Sequence, residues 1–348
     1  MDIRYADKRY LSKYNLCIDL FNSFNLRVYD VIPVRSVYLI QTDKGKKILK
    51  KVDYTMERLN FIYTCLEYIS KSFNGVMGFM KASNENIGIK YDEDIYVVLD
   101  LVEGRECEYS NPIDMSIAAE SLGKLHLAGM GLYERILEEK NIILNDGDIL
   151  LGKRKIFLKN SKESLESYKN KVQKYIYKNS FDKIFLDNVD YFIKQVQRSI
   201  DILEKSDYEA LVNEKDKICL CHKDLAHHNI IIKEEQGYFI DFDYCSIDLK
   251  VVDLAQFINK SIKNLAFDWH RAQNIIYDYQ KSNILDKREI KVLYSFLAFP
   301  EDFNSISRDY YEKRKDWEEG VFVDRLIKKT EGKLEKEEFL NYFEQCYL

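Results

Sequence analysis

Residues 222–243 read His222-Lys223-Asp224-Leu225-Ala226-His227-His228-Asn229, then Ile230-Ile231-Ile232, a turn near Gly237, and Phe239-Ile240-Asp241-Phe242-Asp243. The pattern is H-x-D-x-x-x-x-N, followed by a hairpin and an Asp at the end of an apolar strand. Phosphoryl transfer from a nucleotide needs such a set. One carboxylate must lie beside the acceptor hydroxyl, and an Asn oxygen and a second carboxylate must hold Mg2+ on the phosphates. The loop between Asp224 and Asn229 lets both side chains face one cavity, and the hairpin returns Asp241 to the same rim. A lone H-x-D says almost nothing, whereas the whole set between two apolar strands is specific. The bland alternative is a solvated loop followed by an ordinary hairpin.

Size and composition narrow the field. The chain has 348 residues, 46% of them hydrophobic and 32% charged, which is the balance of a globular protein. It is long enough for one large two-lobed domain or two ordinary ones. No apolar run reaches the length of a membrane span. The first residues, Met1-Asp2-Ile3-Arg4-Tyr5-Ala6-Asp7-Lys8, carry charge where a secretory leader needs an apolar core. A cytoplasmic site of synthesis and residence is therefore expected. Seven scattered cysteines, an odd number, fit a reducing compartment. Cys219-Leu220-Cys221-His222 has a metal-site flavour but no second ligand pair, so it reads as a buried strand. A net charge of −5 argues against nucleic acid as the main partner.

Along the chain, residues 8–30 suggest a helix and a connecting strand. Ser36–Thr42 and Lys46–Val52 read as a hairpin across Asp43-Lys44-Gly45. Apolar residues at helical spacing fill 55–72, and a second hairpin joins 87–91 to 95–102 across Asp92-Glu93-Asp94. From Asp114 the pattern turns helical: 114–129, 161–178 and 187–205, then 251–263, 267–281, 287–298, 300–316 and 335–347. Strands return at 218–221, 230–233 and 238–242. The expected class is α+β: a small β-rich lobe over 1–103 and a large helical lobe over 104–348, hinged at Glu103-Gly104-Arg105.

A site of this kind also needs a cation from the small lobe. Strand alternation places Ile48 and Lys50 on one face and Leu49 and Lys51 on the other. Ile48 would then press on adenine while Lys50 reaches the phosphates, with Lys51 the alternative. The lysine's carboxylate partner should come from the following helix, where Glu57 and Glu67 both qualify. Asp100-Leu101-Val102 would run along the adenine edge, pairing through the Asp100 carbonyl and the Val102 amide. One part is missing. Val31-Ile32-Pro33-Val34-Arg35-Ser36, where a phosphate-wrapping loop is expected, has no glycine, although close backbone approach to phosphate favours one. Arg35 or Ser36 would have to contact phosphate instead.

With these residues in view, the chain resembles the aminoglycoside phosphotransferase and choline kinase superfamily. The likeness rests on His222, Asp224, Asn229, Asp241 and Asp253-Leu254-Ala255, and on Leu122-Gly123-Lys124-Leu125-His126, which is similar to that group's L-G-x-L-H helix. Within it, Asp241-Phe242-Asp243-Tyr244, Ser180-Phe181-Asp182, Phe299-Pro300, Tyr310-Tyr311 and Trp317 resemble the CotS-type spore coat proteins of endospore-forming bacteria. The resemblance covers nearly the whole chain. It implies a protein-kinase-like fold with ATP between the lobes. It carries over Asp224 as the catalytic base, Asn229 and Asp241 as Mg2+ ligands and Lys50 on the phosphates; His222, which opens the motif, is expected to be catalytic as well. It makes Asp253 a brace for the catalytic loop. Lys223 stands where small-molecule kinases of this group usually have Gly.

Two readings stay open. The first is an ATP- and Mg2+-dependent phosphotransferase acting on the hydroxyl of a small molecule. The second is a structural spore coat protein that keeps a kinase scaffold without catalysis. Either would place the chain among other coat proteins. Asp243, Glu301, Asp302 and Glu312 would suit a cationic acceptor such as an aminosugar or choline.

Overall fold

The computed structural model describes residue 11 and residues 16–139 and 142–348; the start of the helix expected within 8–30 lies outside them. A helix Ile18–Ser23 leads into strands β1 (Val28–Val34), β2 (Val37–Thr42) and β3 (Gly45–Val52). After the helix Met56–Ser70 come β4 (Phe79–Met80), β5 (Gly88–Tyr91) and β6 (Asp94–Asp100). Their order is β1-β2-β3-β6-β4, with β5 also on β6, and every pairing is antiparallel. Strand β6 lies inside the sheet, and Tyr96 to Leu99 are buried without interruption. Alternation then decides what each residue meets. Tyr96 and Val98 pack with Leu20, Phe21 and Phe24 of the first helical segment. Val97 and Leu99 join Leu59, Ile62, Leu66 and Ile69 of Met56–Ser70.

The chain leaves this sheet at Gly104, whose φ is +158°. A Cβ built there would lie 2.6 Å from the Ile231 side chain and 2.7 Å from the Ile232 carbonyl, so only glycine passes. A short strand β7 (Arg105–Glu106) follows, and the rest is helical except for β8 (Ile218–Cys221), β9 (Ile230–Lys233), β10 (Gln236–Phe239) and β11 (Ser246–Leu249). These form two small antiparallel sheets, β10-β9-β7 and β11-β8. Cys219 and Cys221 are buried in β8. The long helices Arg154–Gln173 and Ser180–Glu204 pack side by side. Asn179 and Asp182 form a reciprocal cap at the start of Ser180–Glu204, and Asp286 and Glu289 do the same for Lys287–Ala298.

Three expectations need correction. The segment 31–36 is not a loop: residues 31–34 belong to β1, and the connection to β2 is the two-residue turn Arg35-Ser36, closed by the Val34–Val37 pair. Asp241 lies beyond the end of β10 rather than at a strand's end. The helix expected over 300–316 ends at Tyr311, and a further helix, Glu319–Thr330, follows it. Among the described residues, no helix is long and apolar enough to cross a membrane.

Candidate active site

Asp253, in the first turn of the helix Lys250–Ile262, sets the loop that carries Asp224 and Asn229. Its carboxylate accepts the amides of His222 and Lys223, the latter at 2.9 Å, and lies 3.3 Å from His126 Nε2. The other nitrogen of His126 is 2.8 Å from the Tyr279 hydroxyl. All three side chains are buried. Burial alone raises a carboxyl's pKa. The bond to His126 and the positive groups around Asp253 more than offset that and hold it below its ordinary value. Gly123, in the same helix as His126, allows the approach, because a Cβ there would come within 2.6 Å of the Tyr279 carbonyl.

His222 is fully buried, with Nε2 facing the Ile240 carbonyl at 2.9 Å and Nδ1 facing the Asp224 amide at 3.3 Å. The amide can only donate, so Nδ1 accepts and Nε2 carries the proton. Burial lowers the pKa of His222, which favours this neutral form. Both ring nitrogens are committed to backbone, so His222 touches no reacting atom. The expected catalytic role is corrected to one of positioning: His222 ties the Asp224 loop to the segment entering Asp241.

Around that ring the polar groups converge. Asn229 Nδ2 donates to the Asp224 carbonyl and to Asp224 Oδ2, both at 3.0 Å. The Ile240 amide donates to the Asn229 carbonyl at 3.0 Å, which brings Asp241 beside the Asn. Lys223 and Asp241 have φ of +66° and +67°, unusual for residues with side chains. The first gives a conformational reason why glycine suits the position after His222. The second turns the Asp241 carboxylate back towards the sheet of the small lobe.

Lys50 meets it there, with Nζ 2.5 Å from Asp241 Oδ1 and 2.7 Å from Asp243 Oδ2. Burial would lower its pKa, but the two aspartates outweigh burial and raise it. Asp243 is itself pushed up by burial and also bonds the Tyr54 hydroxyl at 3.1 Å. Lys51, the alternative, is on the opposite face and pairs with Asp94 at 2.8 Å. Ile48 is half-buried against the main core, on the Lys50 side of β3.

Glu57 does not partner Lys50. Its carboxyl bonds the Thr55 side chain at the helix start, which lowers its pKa. Glu67 faces Tyr63. The helix turns a cation towards the site instead. Arg58 donates to Asp148 Oδ1 at 2.5 Å, to the Asp243 carbonyl at 2.9 Å and to the Cys245 carbonyl at 2.6 Å. Arg35, expected near phosphate, reaches Glu106 at 2.8 Å. The Asp100 amide donates to the Gly78 carbonyl at 2.9 Å, and its carboxylate takes Lys47 at 2.6 Å. A cavity of about 310 Å3 abuts this turn, with Asp100, Leu101 and Val102 in its wall.

The donor set suits Mg2+ held partly by phosphate. Among the described residues, no cluster of three or more His, Cys, Asp or Glu is arranged to hold a metal alone. One carboxylate and one amide oxygen, both hard, match a Mg2+ ion that keeps waters and phosphate oxygens.

Sequence reasoning missed Arg58 and also Lys260, whose Nζ lies 2.7 Å from Asp224 Oδ1. Lys260 had a signal: it follows Asp253 by seven residues, two helical turns, and so shares the face that meets the catalytic loop.

The spore coat protein S of Bacillus subtilis (strain 168) is 22% identical over 316 residues, covering 90% of this chain and 88% of its own. Among solved structures, an aminoglycoside phosphotransferase from Alicyclobacillus acidocaldarius has a TM-score of 0.80 at 17% identity, with 95% of this chain and 96% of that one covered. A spectinomycin phosphotransferase, solved with ADP and spectinomycin, has a TM-score of 0.66 at 14% identity, covering 97% and 98%. These likenesses identify the bilobal kinase-like fold. A family profile described as "Spore coat putative kinase YutH" matches residues 18–343, so the chain belongs to that spore coat, kinase-like family.

Proposed function

We propose that the chain is an ATP- and Mg2+-dependent phosphotransferase that acts on a small molecule's hydroxyl and is taken from the cytoplasm into the spore coat, among other coat proteins. The observation that carries this reading is the meeting of Lys50 from β3 with Asp241, 2.5 Å apart, next to the Asp224–Asn229 pair. Asp224 accepts the acceptor's proton as its oxygen bonds to the γ-phosphorus. The bond to the β-phosphate oxygen breaks, and ADP leaves. Asn229 and Asp241 hold Mg2+, which supplies charge neutralisation on the phosphates. Lys50 binds the α- and β-phosphates, Ile48 covers adenine, and the Asp100 carbonyl and Val102 amide pair with its edge. The lobes are divided at Gly104.

The tight, glycine-free turn Arg35-Ser36 favours a second reading, a coat protein that keeps the scaffold without turnover. Thermal shift with Mg-ATP separates the two. The enzyme reading expects stabilisation that Asp241→Ala loses and Asp224→Ala keeps while turnover stops. No stabilisation by Mg-ATP leaves the scaffold reading.

A further inference from the structure

A lysine already occupies the carboxylate expected to face the acceptor. Asp224 has two carboxylate oxygens: Oδ2 takes the Asn229 amide, and Oδ1 takes Lys260 at 2.7 Å. Any hydroxyl approaching Asp224 must therefore contend with an ammonium already on the oxygen that would receive its proton. One turn along the same helix face, Lys263 pairs with Asp302 at 3.0 Å, and Lys329 reaches the same carboxylate at 3.2 Å. Three lysines thus stand against two carboxylates. Of the four acidic groups that would have suited a cationic acceptor, three are engaged elsewhere, while Glu301 is exposed to solvent. Asp243 is taken by Lys50 and Tyr54, Asp302 by its two lysines, and Glu312 by the Tyr168 hydroxyl at 2.5 Å.

From this arrangement we propose that the acceptor carries an anionic group, phosphate or carboxylate, close to its reacting hydroxyl, and that Lys260 is the residue that selects it. The inference rests on Asp224 being the group beside the acceptor. An anion draws the Lys260 ammonium to itself and leaves Oδ1 open to the hydroxyl proton, so binding and release of the base are one event. A cation such as choline is repelled by the same ammonium and leaves Asp224 occupied. Lys260 is a quarter exposed, so its head can move between the two positions without disturbing the core.

The test is calorimetric titration of glycerol 3-phosphate, D-glycerate and choline into the full chain, with and without Mg-AMP-PNP, for the natural protein, Lys260→Met and Lys260→Arg. The expected result is that at least one anionic probe binds about tenfold or more tightly than choline. Lys260→Met should lose that preference and Lys260→Arg should keep it. Choline binding as well as either anion, no binding of either anion, or a preference that survives Lys260→Met overturns the proposal. So does a Lys260→Met change that weakens only Mg-AMP-PNP, which would assign Lys260 to the nucleotide. Lys260-dependent anion binding without any Mg-AMP-PNP binding would keep the anion site but remove the phosphotransferase reading, and with it the assignment of that anion to an acceptor.

Discussion

Arg35 and Glu106 join the two sides of the cleft: the guanidinium in the β1–β2 turn is 2.8 Å from the carboxylate in β7. Glu106 also lies 3.9 Å from His227 Nδ1 in the catalytic loop. The turn is thus tied to β7 through its arginine. Both partners are well exposed, and such a pair contributes at most about 1 kcal/mol. Glu106→Gln should therefore tighten Mg-ATP binding by no more than about fivefold, as read by titration calorimetry. Weaker binding in that variant would mean that Glu106 helps to hold the nucleotide.

Lys50 neutralises Asp241 and Asp243 together. Removing it leaves two carboxylates facing each other, so Lys50→Ala should lower unfolding stability by about 2 kcal/mol, discounted for the exposure of Asp241. Adding Asp243→Asn should recover part of the loss, because one charge then disappears. Urea unfolding of the two single variants and the double variant at neutral pH supplies the comparison. Additive losses would mean that Asp243 and Lys50 do not interact.

Arg58 and Asp148 form a nearly buried pair, the aspartate only 1% exposed. Arg58→Ala strands that carboxylate and removes two bonds to carbonyls, a loss of about 3 kcal/mol. Arg58→Lys should not restore it, since an ammonium cannot serve Asp148 and the Asp243 and Cys245 carbonyls in one planar fork. Full rescue by lysine, measured by urea unfolding, would reduce the interaction to simple charge.

Lys336 gives a pH signature. Its Nζ donates to Asn259 Oδ1 at 2.6 Å and lies over the Phe267 and Phe339 rings at 4.8 and 5.2 Å. Burial brings its pKa down to about 7, against an ordinary value of 10.5. Between those values the unfolded chain holds the proton that the folded chain has released, so folding becomes more favourable as pH rises from 7 towards 10.5. Below pH 7 both states are protonated and the burial cost is constant. Lys336→Met removes the term, so the stability difference between variant and natural protein should be largest at pH 6 and shrink by pH 9. A pH-independent difference would contradict the lowered pKa of Lys336.

The legible parts of the fold are those with local causes. Strand 218–221 and residues 230–232 are continuous apolar runs, and helix 287–298 begins at Asp286 with Glu289 three residues on. Strand β11 escapes such reading because Ser246 and Asp248 interrupt its apolar pattern while both are buried. The same divide runs through the site. His222, Asp224 and Asn229 share one loop, so their proximity follows from spacing. The partner of Lys50 is 191 residues away, and helical periodicity says which face Glu57 and Arg58 occupy but not which of them the other lobe will meet. His222 shows a further limit. A motif fixes where a residue stands, whereas its hydrogen bonds decide whether it can touch a substrate.

Beyond the covalent crossing at Gly104, the two lobes are sewn together. Phe239 donates its amide to the Gly75 carbonyl at 2.8 Å, Val76 forms a β-bridge with Phe239, and Arg58 reaches Asp148. Motion of one lobe against the other must bend or break these contacts as well as turn about the crossing.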